Sequence, residues 1–534
     1  MARPKAKRSK SRPARAKNAA RKTPKARKAK KVVKQALRGA AGGVKRAIKK
    51  TVRKVAAKSA TRARPAAARK ELRGSNRSVA KPATRAGTSP VGGDLDLLHD
   101  LMRQALKAGA DAADALVVRG IQVSVGQRLG EREKLERSEG HDLGLRVLIG
   151  KRQAMVSTTD FAPSALAELA GRAVAMAKAV PEDPFCGIAD PALLAKRFPA
   201  LDIDPNDEPS VEWLEEQCKI AEDAARAVKG VTNSEGAEAG WSRSEIALVT
   251  SAGFAGGYSR SSFGLSASVL AGQDTGMERD YEWTSAVYRR DLMPAEKVGR
   301  SAGQRAVRRL NPRGAKSAKL PVVFDPRVSG SLLGHLAGAI NGRAIARGTS
   351  FLKDRLGQPV FAKGVSVIDD PHRKRGQRSK PFDGEGLPTR RYDVIEDGRL
   401  TTWLLDLASA WQLKMSPTGH AARGTGGPPS PSATNLYMAP GKLSPKRLMA
   451  DIKSGFYVTE LIGFGVNGVT GDYSRGASGF WIENGKLSHP VSGVTVAGNL
   501  KDMFAKLTPA NDLEFKTGTD APTIRLDNMT IAGS

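Results

Sequence analysis

The stretch Tyr457–Gly485 reads YVTELIGFGVNGVTGDYSRGASGFWIENG, and its reading separates two fold classes. Within it, Gly463-Phe464-Gly465-Val466-Asn467-Gly468 fits G-x-G-x-x-G after a strand-like segment, and Glu483 follows about 15 residues on. A dinucleotide site needs a helix N-terminus directly behind such glycines to hold the pyrophosphate. Val469–Gly479 instead carries Gly471, Ser474, Gly476, Ser478 and Gly479, with no helical period. Further on, Phe480-Trp481-Ile482 and Leu487–Val491 flank Asn484-Gly485, a dipeptide favoured in tight hairpins. The stretch predicts a glycine-rich loop and an antiparallel hairpin, not a nucleotide-binding doubly wound sheet.

Working outward, the same unit begins at Pro321-Val322-Val323-Phe324 and includes a second hairpin at Asp397-Gly398. Upstream, Pro294–Leu310 reads as a helix, Val211–Val228 as another, and strands are expected at 231–239, 244–250, 262–271 and 281–290. Residues 182–208, rich in Pro and Asp, read as a linker. Before it, apolar residues at Leu97, Leu98, Leu101, Met102 and Leu106 predict a helix over Asp94–Gly109. A meander of Ala115–Val125, Leu143–Ile149 and Gln153–Ser157 follows, then a helix over Ser164–Val180. The expected class is α+β, with units at 91–181, 209–316 and 317–534, the first of them with helices flanking a short antiparallel sheet. The segments Arg373–Lys380 and Gly424–Pro431 read as mobile loops.

Charge divides the chain differently. The 534 residues carry a formal charge of +35. The first 90 hold 32 lysines and arginines against one acid, Glu71, whereas the remaining 444 hold 56 against 52 and all 27 aromatics. A segment this poor in apolar residues cannot offset its ordering entropy, so a disordered basic tail over 1–90 is expected. Within it Val44, Ile48, Val52 and Val55 recur at helical spacing, with Lys45, Arg46, Lys49, Lys50, Arg53 and Lys54 on the other faces. Three readings compete: sequence-blind contact with DNA or RNA phosphates through those six cations, attraction to an anionic membrane, or the bland one, a solvating appendage or a misplaced translation start. Met102, the next methionine, falls inside the first helix of the body, so a start there would clip the fold.

Two cysteines, Cys186 and Cys218, exclude a disulfide framework and a four-cysteine zinc site. No run of about 18 apolar residues and no secretory signal is present, so a cytoplasmic protein is expected. Gly299-Arg300-Ser301-Ala302-Gly303 fits G-x-S-x-G, but lies inside a helical segment rather than at a strand-to-helix elbow. The six histidines include no two within five residues, so the paired-imidazole helix of a zinc hydrolase is absent. His335, in the apolar segment Val328–Ile340, reads as a packed or interface residue. Thr418, His420 and Arg423, beside Asn435, cluster polar groups next to glycines and are candidate peptide contacts, with loop scaffolding as the alternative.

The body resembles the TldD/PmbA family, and within it the PmbA (TldE) branch. The resemblance rests on Gly109-Ala110-Asp111-Ala112-Ala113, Gly144-Leu145-Arg146-Val147, Glu182-Asp183-Pro184-Phe185, Ser350-Phe351-Leu352-Lys353-Asp354, Phe382-Asp383-Gly384-Glu385-Gly386, Asn435-Leu436-Tyr437 and, above all, Tyr457–Gly485. It covers residues from about 95 onward and nothing of the tail. It implies an N-terminal α/β unit, a central α+β unit and a C-terminal mixed or antiparallel β-sheet domain with flanking helices, and a cytoplasmic peptidase assembled from two related subunits. The TldD branch carries a His-Glu-x-x-x-His helix and a further Cys ligand near the C-terminus. Here the equivalent positions are Gly334, His335 and Ala339, and no Cys follows Cys218. The resemblance therefore implies no metal and no catalytic residue on this chain, with zinc on a TldD-like metallopeptidase partner and peptides as substrates. Two other readings stand beside it: a nucleic-acid-associated protein with the body as scaffold, and an independent hydrolase built on residues such as His420 or Asp369.

Overall fold

The structure is a computed structural model that describes residues 90–533. The basic segment, with Lys45, Arg46, Lys49, Lys50, Arg53 and Lys54, lies outside the described residues.

The first sheet has six antiparallel strands: β1 (Ala112–Arg128), β2 (Glu131–Ile149), β3 (Arg152–Thr158), β4 (Val231–Thr250), β5 (Ala255–Ala271) and β6 (Glu278–Ala286), in the order β3-β2-β1-β4-β5-β6. The stretches 91–181 and 209–316 thus contribute three strands each to one sheet. Strand side chains alternate between faces, and the odd-numbered set in β1 (Ala113, Ala115, Val117, Val123, Val125) turns to the helices. Helices Pro90–Lys107 and Pro163–Ala179 cover one half of that face, with Leu98, Leu101, Leu169 and Ala173 in the shared core. Helices Val211–Arg226 and Ala295–Arg308 cover the other half, packing Leu214, Cys218, Val298 and Ala302 on Trp241 and Phe263.

Those last two helices meet closely. A Cβ on Gly299 would lie 1.8 Å from the Ala221 carbonyl oxygen, so only glycine fits there. The G-x-S-x-G pattern is therefore a helix-contact pattern, with Ser301 inside Ala295–Arg308.

Two expectations need correction. Residues 231–250 form one strand, not two, because Gly240-Trp241-Ser242-Arg243 continues the ladder with both neighbours and Trp241 is buried. The charged run from Glu131 onward is also strand: β2 pairs with β1 from Glu131 to Leu148 although most of its first half is exposed. Surface pairs such as Arg132–Glu215 (2.6 Å) and Lys134–Glu238 (2.9 Å) decorate that arm. The 182–208 stretch packs against the body, burying Leu201 and Ile203 and setting the Phe198 ring 5.1 Å from that of Phe382.

The C-terminal part holds two larger sheets and a two-stranded one, β11 (Ala421–Ala422) with β12 (Ser430–Pro431), and confirms the α+β class. Strands β7 (Ala318–Phe324), β14 (Ser454–Val466), β15 (Asp472–Glu483), β16 (Lys486–Asn499), β17 (Thr508–Pro509) and β19 (Ile524–Ala532) form a mixed sheet in which β7 and β14 run parallel. Short strands β8 (Val367–Asp369), β9 (Tyr392–Glu396), β10 (Arg399–Leu400), β13 (Leu436–Met438) and β18 (Thr519–Asp520) form the other. Helix Pro326–Ala339 shares one core with both, through Leu332, Leu336, Phe324, Phe456 and Leu436. Asn484 (φ 48°) and Gly485 (φ 75°) both take the left-handed conformation that a tight hairpin turn requires. The glycine-rich run is strand where a loop is expected: Gly463–Val466 end β14 beyond a bulge after Ile462, pairing with Tyr473 and Ser474, and no helix follows.

Candidate functional site

The second face of the first sheet carries the even-numbered side chains. Leu116, Val118, Ile246 and Leu248 pack there beside Phe254 and Phe382, so the middle of the sheet is buried on both faces. Between this face and the C-terminal segments lies a cavity of about 400 Å³. Its sheet side is Leu116, Val118, Ile246, Leu248, Tyr258 and Arg260. Its other side includes Arg378, Lys380, Phe382, Asp383, Arg423 and Thr434.

Charged groups are buried behind this wall. Asp114 accepts from Arg146 Nε at 2.8 Å and also from the Arg423 guanidinium, and all three side chains are under 5% exposed. Burial alone would raise the Asp114 carboxyl, but the charges of Arg146 and then Arg423 outweigh it and hold it below its ordinary value. Arg423 Nε and Nη2 have no partner, and an unsatisfied buried donor costs about 1–3 kcal/mol. Gly144 permits the approach of the loop that carries Arg423: a Cβ there would lie 2.3 Å from the Thr425 carbonyl oxygen.

Lys380 Nζ donates to the Ala421 carbonyl at 2.9 Å. Burial lowers its ammonium, against the pull of Asp383, Asp369 and Glu385. Asp383 accepts from the amides of Glu385 and Leu387 at 2.9 Å and of Ala421 at 3.2 Å. Burial raises the Asp383 carboxyl even so. Burial first, and then the Asp383 charge, push Glu385 up to about 8. None of Asp114, Arg146, Lys380, Asp383 and Glu385 stood out as a site residue in the sequence. The available signal was a charge inside an apolar strand, as in Leu145-Arg146-Val147.

The four candidate peptide contacts fall in this neighbourhood but differ in what they offer. His420 is 1% exposed; its Nε2 lies 3.1 Å from Asp369 Oδ2 and its Nδ1 2.8 Å from Thr418 Oγ1. Thr418 Oγ1 also accepts from Leu405 N at 2.8 Å. Asp369 is fully buried and accepts from Thr434 N at 2.7 Å. An acid, an imidazole and a hydroxyl are thus in line, as in a hydrolytic triad, yet the sequestered hydroxyl leaves no room for a substrate carbonyl. Asn435 is buried too, donating to Asp370 O (2.7 Å) and Ser379 Oγ (2.8 Å) and accepting from Arg378 N (2.9 Å). Arg423 alone of the four both lines the cavity and keeps unpartnered donors.

The helix Pro326–Ala339 does not fit a zinc ion. Gly334 and Ala339 have no donor atoms, and His335 supplies one imidazole, packed 5.9 Å from the Tyr473 ring with Nε2 unpartnered. Burial, then the charge of Arg475, lower the His335 value. Among the described residues no three His, Cys, Asp or Glu side chains are grouped to hold a metal.

Three profiles of one family match the chain: PmbA/TldA metallopeptidase domain 1 at residues 113–177, the central domain at 204–310 and the C-terminal domain at 317–533. The metalloprotease PmbA of Escherichia coli O157:H7 is 38% identical over 450 residues, covering 83% of this chain and 98% of its own length. The PmbA homologue of Haemophilus influenzae is 36% identical, covering 80% and 94%. Among solved structures, a candidate modulator of DNA gyrase from Bacteroides thetaiotaomicron superposes with a TM-score of 0.77 at 26% identity, over 83% of this chain and 99% of that one. TldE of Thermococcus kodakarensis shares the fold at a TM-score of 0.74 and 20% identity, over 82% and 100%.

Proposed function

The chain belongs to the PmbA/TldD metallopeptidase family, and on that premise we propose that it is the metal-free, TldE-like partner of a TldD-type metallopeptidase acting on unfolded or modified peptides in the cytoplasm. The observation that carries this reading is the donor set of helix Pro326–Ala339: glycine and alanine stand at two of the positions where the metal-binding branch has ligands. Zinc hydrolysis takes about three protein ligands and an open position for an ionising water, a chemistry the partner's site would supply. This chain's part is to hold peptide, and Arg423 with the cavity-lining cations supports that role. An exposed apolar hairpin tip, with Phe464 99% and Ile462 59% exposed, supports an assembly, since such patches mark contact surfaces. The test is capture from the source cell: a chain bearing His-Glu-x-x-x-His should copurify with this one.

A second role, nucleic-acid association through residues 1–90, is favoured by 32 basic residues against one acid. Phosphate contacts each contribute about −0.9 to the log–log salt slope. DNA retention should therefore fall steeply with salt and vanish when residues 1–90 are removed; equal retention by the shortened chain counts against it.

A further inference from the structure

We infer that the cavity between the first sheet and the C-terminal segments binds the terminal carboxylate of a peptide whose last side chain is apolar. The inference rests on the peptide-binding reading above and specifies which part of the peptide is held.

The lining has two chemically distinct sides. Strands β1 and β4 contribute Leu116, Val118, Ile246 and Leu248, a wall with no polar side-chain atom, and Tyr258 and Arg260 of β5 stand beside it. The opposite and outer parts contribute four cations, Arg260, Arg378, Lys380 and Arg423, against one acid, Asp383. That acid is engaged by three backbone amides; even with Asp114, which is shared with Arg146, and Asp369, which pulls on Lys380, the cations outnumber the acids near them. Arg423 is held by Asp114 through one nitrogen only, and its other two have no partner. Arg260 is tied by Nη2 to the Gln377 carbonyl.

A guanidinium presents a planar fork that matches a carboxylate's two oxygens. A phosphate would satisfy the charge equally but has no use for the aliphatic wall. A mid-chain peptide segment would offer the wall a side chain but bring no charge of its own to the cations. A C-terminal leucine or valine offers both, on adjacent bonds. The volume of about 400 Å³ lies at the small end of the range of about 300–1,000 Å³ for small-ligand sites. It suits a terminal residue and part of the one before it. Such an anchor would be indifferent to the rest of the sequence, as a peptidase for unfolded chains requires.

The experiment uses the full chain and a five-residue peptide ending in leucine, labelled at its N-terminus, as the free acid and as the C-terminal amide. Fluorescence anisotropy should show the acid binding at least tenfold more tightly than the amide. The double variant Arg260→Gln, Arg378→Gln changes two side chains outside the buried Asp114 network; it should narrow the acid-over-amide ratio at least threefold, and an unchanged ratio would count against the carboxylate inference. Acid and amide binding equally would overturn the carboxylate inference and leave peptide capture standing. Binding of neither, with or without the partner subunit, would overturn both. Hexanoate displacing the acid peptide at equal concentration would assign the cavity to free fatty acids and overturn the peptide part.

Discussion

The Asp114 carboxylate on β1 accepts from the Arg423 guanidinium 309 positions further along the chain, while its other oxygen takes Arg146 Nε at 2.8 Å. One acid thus holds two arginines and ties the 421–431 segment to the first sheet. Removing it leaves two buried guanidiniums without a counter-charge, and breaking a buried pair costs about 3–5 kcal/mol. Asp114→Ala should lower the stability measured by urea denaturation by that amount. Added salt should not restore it, because buried pairs are little screened.

Glu385 gives a pH dependence with a defined sign. Its folded value, about 8, lies above the ordinary 4.5, so the fold favours the protonated form. That stabilisation is fully present below the ordinary value and is lost as pH rises through the folded one, at up to about 1.4 kcal/mol per pH unit. Glu385→Gln keeps a neutral acceptor for Leu407 N, which now lies 2.9 Å from Oε2. The variant should match the parent near pH 5 and exceed its stability near pH 8. Parallel stability curves over that range would refute this assignment.

Phe464, at the tip of the β14–β15 hairpin, is 99% exposed. Phe464→Ser removes no core packing, so thermal stability should stay within about 0.5 kcal/mol. Burying a phenylalanine is worth about 1.5–3 kcal/mol. Affinity for a TldD-type partner should accordingly fall about tenfold or more, as read by surface-immobilised binding.

The sequence conveyed burial well and long-range pairing poorly. Alternation in Ala115–Val125, and the Asp397-Gly398 and Asn484-Gly485 turns, located strands and hairpins because each pattern is local. The first half of β2 escaped notice because Glu131–Asp142 buries almost nothing, so its strand is held by the ladder to β1 rather than by an apolar face. Residues 240–243, expected to separate two strands, are held in register by the strands on both sides. That Gly334 and Ala339 offer no donor atoms is plain in the sequence, whereas Asp114, Arg146 and Arg423 come together only when distant segments meet.

The central claim is that the hydrolytic metal belongs to a partner and that this chain contributes peptide binding. It is tested most directly by metal analysis and peptide cleavage on the purified chain, alone and mixed with a TldD-type subunit bearing His-Glu-x-x-x-His. The chain alone should carry no stoichiometric zinc and cleave nothing, with chelator-sensitive cleavage appearing in the mixture and exceeding that of the partner alone. Stoichiometric zinc together with chelator-sensitive cleavage by the lone chain would contradict it.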